Sequence, residues 1–118
     1  MKPLVETSLL RIYTSEFDKL EHQPLYEALL FAARKQGLAG ATVVKGIMSF
    51  GASAKVHTAK LIEISEDLPI VVEIVDTAER IQAFLPMASE LLEQAGCGGL
   101  LTIEKISAMF FPNRKAAL

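Results

Sequence analysis

Basic charge is not in excess along this chain, cysteine is nearly absent, and no apolar run reaches membrane-spanning length. Twelve Lys and Arg stand against fourteen Asp and Glu, a net charge of −2. A nucleic-acid binder normally carries a clear basic surplus, so that class of partner is excluded. The single cysteine, Cys97, leaves no intrachain disulfide. The two histidines, His22 and His57, share no ligand spacing with Cys97, so no metal site is expected. The N-terminus shows no signal-peptide pattern. Repeats, linkers and low-complexity segments are also missing. These absences predict a cytoplasmic protein without membrane insertion, and nothing calls for a cofactor.

What is present is a core. Hydrophobic residues make up 51% and charged residues 22% of 118 positions, a globular composition read as one domain over residues 1–118. So large an apolar share in a small chain also points to buried subunit interfaces.

Periodicity gives the element order. Val5–Ser15 reads as a strand, with Leu9, Leu10, Ile12 and Tyr13 in it and Arg11 turned away from the apolar face. Phe17–Gln23 is polar and loop-like. Pro24 suits a first helical position, Leu25, Ala28, Leu29 and Ala32 follow at helical spacing, and Gly37 supplies a left-handed cap, so the spacing predicts a helix over Pro24–Gln36. Ala41–Met48 is the second strand, His57–Ile64 the third, and Ile70–Val75 a central one. Asp76 with Glu79 resembles a capping box that opens a second helix, in which Pro86 should force a kink or a restart. Gly96-Cys97-Gly98-Gly99 ends that helix before a last strand, Leu100–Met109. Phe110–Leu118 is a tail whose phenylalanines suit an interface. This order predicts the ferredoxin-like βαββαβ α+β sandwich: an antiparallel sheet with two helices on one face. Adjacent apolar residues such as Val43 and Val44 imply that the other face is buried too, most simply by further copies of the chain.

Two glycine clusters carry the strongest functional signal. One is Gly46 and Gly51, flanked by Lys45, Lys55, His57 and Lys60. The other is Gly96, Gly98 and Gly99. Small residues let backbone approach a ligand, and cations beside them favour an anion. Glycines also simply end helices and make turns, and Gly96 alone reads best as a cap. Catalysis has little to stand on. Cys97 lies at a helix C-terminus, where the dipole disfavours the thiolate, and Ser49 and Ser53 have only His57 nearby as a base. No catalytic residue is assigned. His57 is open to a binding role, an acid–base role, or plain backbone bonding at the base of a loop.

At these residues the chain resembles a known family. GATVVKG at Gly40–Gly46 looks like the stretch that enters the long T-loop of the PII nitrogen-regulatory signal proteins. Phe50-Gly51 and His57-Thr58 echo two pairs in that loop. The run from Leu68-Pro69 to Val75 looks like the strand after it, and Gly96-Cys97-Gly98-Gly99 takes the place of the glycine-rich B-loop. More closely still, the separated motifs PLYEALL, GLAGATVVKGIMSFG, HTAK, SEDLPIVVEIVD and AFLP are similar to a PII-like family known as domain of unknown function 190. The resemblance implies a homotrimeric signalling protein that binds a small anion or adenine nucleotide in inter-subunit clefts. Thr42, Gly46, Phe50 and Gly51 would line one side, and Gly96, Gly98 and Gly99 the other. Lys45 and His57 would add charge, and the T-loop would dock on a partner such as a membrane transporter or channel. PII proteins carry lysines where this chain has Ile70 and Gly99, and each missing charge-assisted bond forfeits about 1.5–3 kcal/mol. No tyrosine lies between Gly46 and Pro69, which removes the usual modification. Two other readings compete: a ligand-independent interaction module, and a small enzyme using His57.

Overall fold

Alternation in the first strand sets the layers. The structure, a computed structural model, describes residues 2–51, 56–58 and 67–114, with backbone alone at 57 and 58. Its elements are β1 Val5–Ser15, β2 Lys19–Leu20, β3 Gln23–Pro24, α1 Leu25–Lys35, β4 Ala41–Lys45, β5 Met48–Ser49, β6 His57–Thr58, β7 Pro69–Asp76, α2 Ala78–Ala95 and β8 Leu100–Ala108. A four-stranded antiparallel sheet has the order β4-β7-β1-β8. Both helices pack on one face. There Leu10 and Ile12 of β1 and Ile70, Val72 and Ile74 of β7 meet Leu25, Leu29 and Ala33 of α1 and Ile81, Phe84 and Ala88 of α2. The helical contributors recur every three or four residues, and the strand contributors every two. The ferredoxin-like arrangement predicted from the element order is therefore the fold.

Several boundaries differ from expectation, each for a local reason. Pro24 is not the first helical residue. It sits one position earlier, extended at ψ 134°, because it pairs with Lys19 in the small β2–β3 hairpin. At the other end of α1, the Gly37 N–H donates to Arg34 O and the Leu38 N–H to Ala33 O, with Gly37 at φ +83°. This is the double bond pattern of a Schellman motif, and it confirms the glycine stop. The predicted second strand is split, because β4 stops at Lys45 and β5 begins at Met48. Of the predicted strand from His57 to Ile64, His57 and Thr58 are seen in β6 and the remainder lies outside the described residues. Asp76 does not cap α2. Thr77 does, accepting from the Arg80 N–H at 3.3 Å, while the Asp76 carboxylate accepts from the N–H groups of Thr77 and Ala39. Pro86 causes no restart, since α2 runs through it. Both Pro86 and Gln82, whose carbonyl loses its partner, are on the exposed side of the helix, where water can satisfy that carbonyl.

Among the described residues no helix covers the sheet face opposite α1 and α2, the bare face of the single chain. Cross-strand register builds two rows on it. Val44, Val71, Tyr13 and Leu100 form an apolar row across all four strands, and Thr42, Glu73, Arg11 and Thr102 form a polar row beside it. Val44, Tyr13 and Leu100 are exposed. Arg11 donates from Nε to Glu73 and from Nη1 to Glu104, both at 2.9 Å. The Glu73 hydrogen bond, above all, holds the guanidinium still further above its already high pKa.

Candidate functional site

Three strand ends converge below the long loop. Lys45 pairs with Ile70, Ser15 with Pro69, and Tyr13 with Leu100. The base of the 46–68 loop and the Gly96–Gly99 turn therefore lie at one end of the sheet. They do not lie beside each other. One leaves edge strand β4 and the other enters edge strand β8, with β7 and β1 between them. Three inter-strand spacings separate those edges by about 14 Å. Within one chain the two glycine clusters cannot face across a single cleft.

The glycines themselves differ in what they do. A Cβ on Gly46 would lie 2.6 Å from Pro69 Cγ, so the Gly46 backbone can lie against β7 only without a side chain. Its N–H donates to Pro69 O at 2.8 Å. Gly51 and Gly98 face open space, Gly98 with φ +78°. Gly96, at φ +65°, is the left-handed cap of α2. Gly99 has φ +155°, and a Cβ there would meet Tyr13 O at 3.0 Å. A lysine at 99 would be strained in this backbone. Ile70 is likewise a core residue facing the helices, so neither departure from the PII pattern leaves a side chain free to reach a phosphate.

The remaining predicted residues fall in two places. Thr42 is on the bare face, where it lines an open cleft of about 540 Å³ with Leu9, Gly40, Glu73, Val75 and Phe110. It stands three residues from Lys45, about 10 Å along the strand. Phe50 is 71% exposed near the start of the loop, as are Ile47 at 74% and Val56 at 52%. The His57 backbone pairs with Ser49. Its side chain, like Lys55 and Lys60, lies outside the described residues.

Sequence reasoning passed over the turn at residues 15–18, which organises this end of the molecule. The Asp18 carboxylate accepts from the Ser15 N–H at 2.9 Å, and the Asp18 N–H donates to Ser15 O. The Glu16 N–H donates to Leu68 O, and the Phe17 N–H to Asp67 Oδ1 at 2.9 Å. The Glu16 carboxylate forms an ion pair with Lys45 Nζ at 2.6 Å. Both ends of the long loop are thereby fastened to one turn. The Cys97 thiol approaches the same segment, with Sγ 4.0 Å from Lys19 O. Burial, the largest influence, raises the Asp18 pKa. The Ser15 N–H opposes the rise and the nearby Asp67 charge adds to it. The signal was the spacing Ser15-Glu16-Phe17-Asp18, an acidic residue placed to close a turn on the residue three before it.

Among the described residues no cluster of three His, Cys, Asp or Glu could hold a metal, and no helix is long and apolar enough to cross a membrane. The profile of the family DUF190, described as Uncharacterized ACR, COG1993, matches residues 7–108. A UPF0166 protein of Aquifex aeolicus (strain VF5) is 37% identical over 107 residues, covering 91% of this chain and 97% of that one. UPF0166 protein MJ1524 of Methanocaldococcus jannaschii is 32% identical over 93 residues, covering 79% and 85%. Among solved structures, CPII, a nitrogen regulatory PII-like protein from Thiomonas intermedia K12 bound to ADP, AMP and bicarbonate, superposes with a TM-score of 0.69. It is 17% identical, over 92% of each chain. A PII-like signaling protein of Thermus thermophilus, so assigned provisionally, gives 0.59 at 16% identity over 89% and 90%. At these identities the likeness to solved structures is one of fold, and the fold is PII-like.

Proposed function

The chain belongs to the DUF190 family, and from that premise we propose that it is a PII-like regulatory protein, not an enzyme, whose ligand is a small anion bound between subunits of a homotrimer. The observation that carries this reading is the position of the two glycine loops, at one end of the sheet but on opposite edges. Two complementary half-sites on opposite edges can meet only when the β4 edge of one copy approaches the β8 edge of the next. That is a head-to-tail contact, which closes into a ring when the rotation between copies closes, as a trimer requires. The bare sheet face, with its apolar row Val44, Val71, Tyr13 and Leu100, supplies surface for the copies to bury.

In that cleft Thr42, Lys45, Gly46, Phe50, Gly51 and His57 come from one copy, and Gly96, Gly98 and Gly99 from its neighbour. The nucleotides and bicarbonate held by the CPII protein fit the chemistry of backbone N–H groups beside one lysine. With Ile70 and Gly99 in place of lysines, a ligand with few phosphates suits the site better than a triphosphate. The segment after Gly46 then acts as the T-loop. Ile47, Phe50 and Val56 give it an exposed apolar surface suited to docking on a protein partner, for which a membrane transporter or channel is the proposed class, from the cytoplasm.

Calorimetric titration with AMP, ADP, ATP and bicarbonate, with mass by light scattering, tests the reading. It predicts a trimer that binds AMP or ADP with one site per chain and gains nothing from a third phosphate. A monomer, or a trimer that binds none of the four, sinks it. The exposed apolar residues of the loop also fit a module that docks without any ligand. Capture of a partner from lysate by the full chain but not by a chain lacking 49–67, unchanged by ADP, would favour that second reading.

A further inference from the structure

The cation proposed for the ligand is already paired. Lys45 Nζ lies 2.6 Å from the Glu16 carboxylate, and the pair is open to solvent, with side chains 49% and 26% exposed. Both backbones are held in place by hydrogen bonds. Lys45 is locked by its ladder to Ile70 and by the Gly46 N–H to Pro69 O, beside a contact that admits no side chain. Glu16 is fixed by its own N–H to Leu68 O and by the neighbouring Phe17 N–H to Asp67. Only the side chains are free to part, and an ammonium with one carboxylate partner can take another anion in exchange.

We propose that Glu16 is an internal competitor for the ligand: its carboxylate occupies Lys45 in the empty protein, and an incoming anion displaces it. This rests on the anion-binding reading above. The exchange leaves Glu16 unpaired on the turn that fastens both ends of the loop, so the carboxylate sets affinity and also stands where binding can be passed to the loop.

Titration of Glu16→Gln, Lys45→Gln and the double variant with ADP and with bicarbonate decides the matter. A half-exposed ion pair is worth little, so Glu16→Gln should tighten binding only about two- to fivefold. Lys45→Gln should weaken it, and adding Glu16→Gln to Lys45→Gln should change nothing further, because the competitor then has nothing to occupy. Glu16→Asp, one methylene shorter, should also tighten binding, and it stands in if the Gln variant fails to fold. Unchanged or weaker binding by Glu16→Gln or Glu16→Asp, in a wild type that does bind, overturns the competitor while leaving the anion-binding reading intact. A wild type and variants that bind neither probe overturn both.

Discussion

The sequence marks Gly46 as a glycine that lets a ligand approach, but the structure gives it a different necessity, and Gly46→Ala separates the two. A methyl carbon would sit 2.6 Å from Pro69 Cγ and 3.5 Å from Pro69 Cβ, about 1 Å inside ordinary carbon–carbon contact. The pyrrolidine ring cannot rotate away, and both backbones are tied by the Gly46 N–H to Pro69 O bond and by pairing of Pro69 with Ser15. Overpacking of this kind costs about 1–3 kcal/mol. Against it stands a gain of about 0.4–1 kcal/mol from stiffening the unfolded chain, because Gly46 has no positive φ to forbid alanine. A 2.6 Å contact with a ring carbon puts the overpacking cost in the upper part of its range, so the balance is destabilising by about 1–2.6 kcal/mol, a fall in Tm of roughly 4–12 °C for a domain of this size. Urea and thermal melts at fixed protomer concentration would measure it, with Gly51→Ala, which faces open space, as a control within about 0.5 kcal/mol of wild type. Pro69→Ala should rescue Gly46→Ala. A Gly46→Ala protein as stable as wild type, or one that Pro69→Ala fails to rescue, refutes the steric argument and returns Gly46 to the ligand.

Three further outcomes follow from particular residues. Thr14 is buried, and its hydroxyl finds no hydrogen-bond partner among the described residues. Thr14→Val should therefore stabilise the chain by about 1 kcal/mol in urea melts, by removing an uncompensated polar group. Burial raises the Asp18 pKa, so protonation favours the fold; that stabilisation is full below the unfolded value near 4 and is lost as pH rises through the folded value. Asp18→Asn keeps an oxygen for the Ser15 N–H without the charge. It should thus be the more stable protein at pH 7, by less than about 1 kcal/mol given its exposure. The gap should close toward pH 4, and a gap that is constant with pH contradicts the account. Leu100→Glu puts a charge into the apolar row of the bare face and should cut the proposed trimer to monomers by light scattering while far-UV circular dichroism is kept; a variant that stays trimeric would place the interface elsewhere.

The layers of the fold were legible because they depend on local periods. Leu10 and Ile12 alternate, Leu25, Ala28 and Leu29 recur at a helical interval, and Gly37 and Gly96 stop their helices where expected. Boundaries were less legible wherever a tertiary partner decided them. Asp76 is drawn off to Ala39, leaving Thr77 to cap, and Pro24 is held by Lys19. For the candidate site, the sequence offers residues but not their arrangement. Nothing local says that Gly46 and Gly99 leave opposite edges, or that Glu16 reaches Lys45 and Arg11 reaches both Glu73 and Glu104. Those juxtapositions come from strand order and register, which bring together positions 29, 62 and 93 residues apart.

The central claim is that each ligand site is completed by two chains, and mixing tests it most directly. One variant carries Lys45→Gln with Gly51→Asp, damaging only the β4-edge half; the other carries Gly98→Asp, damaging only the β8-edge half. Each assembly alone should lose ADP binding. Refolded together at equal amounts, they should regain a fraction of the wild-type sites, since some clefts then pair two intact halves. Failure of the mixed trimers to bind, with wild type binding under the same conditions, would contradict a site shared between neighbours.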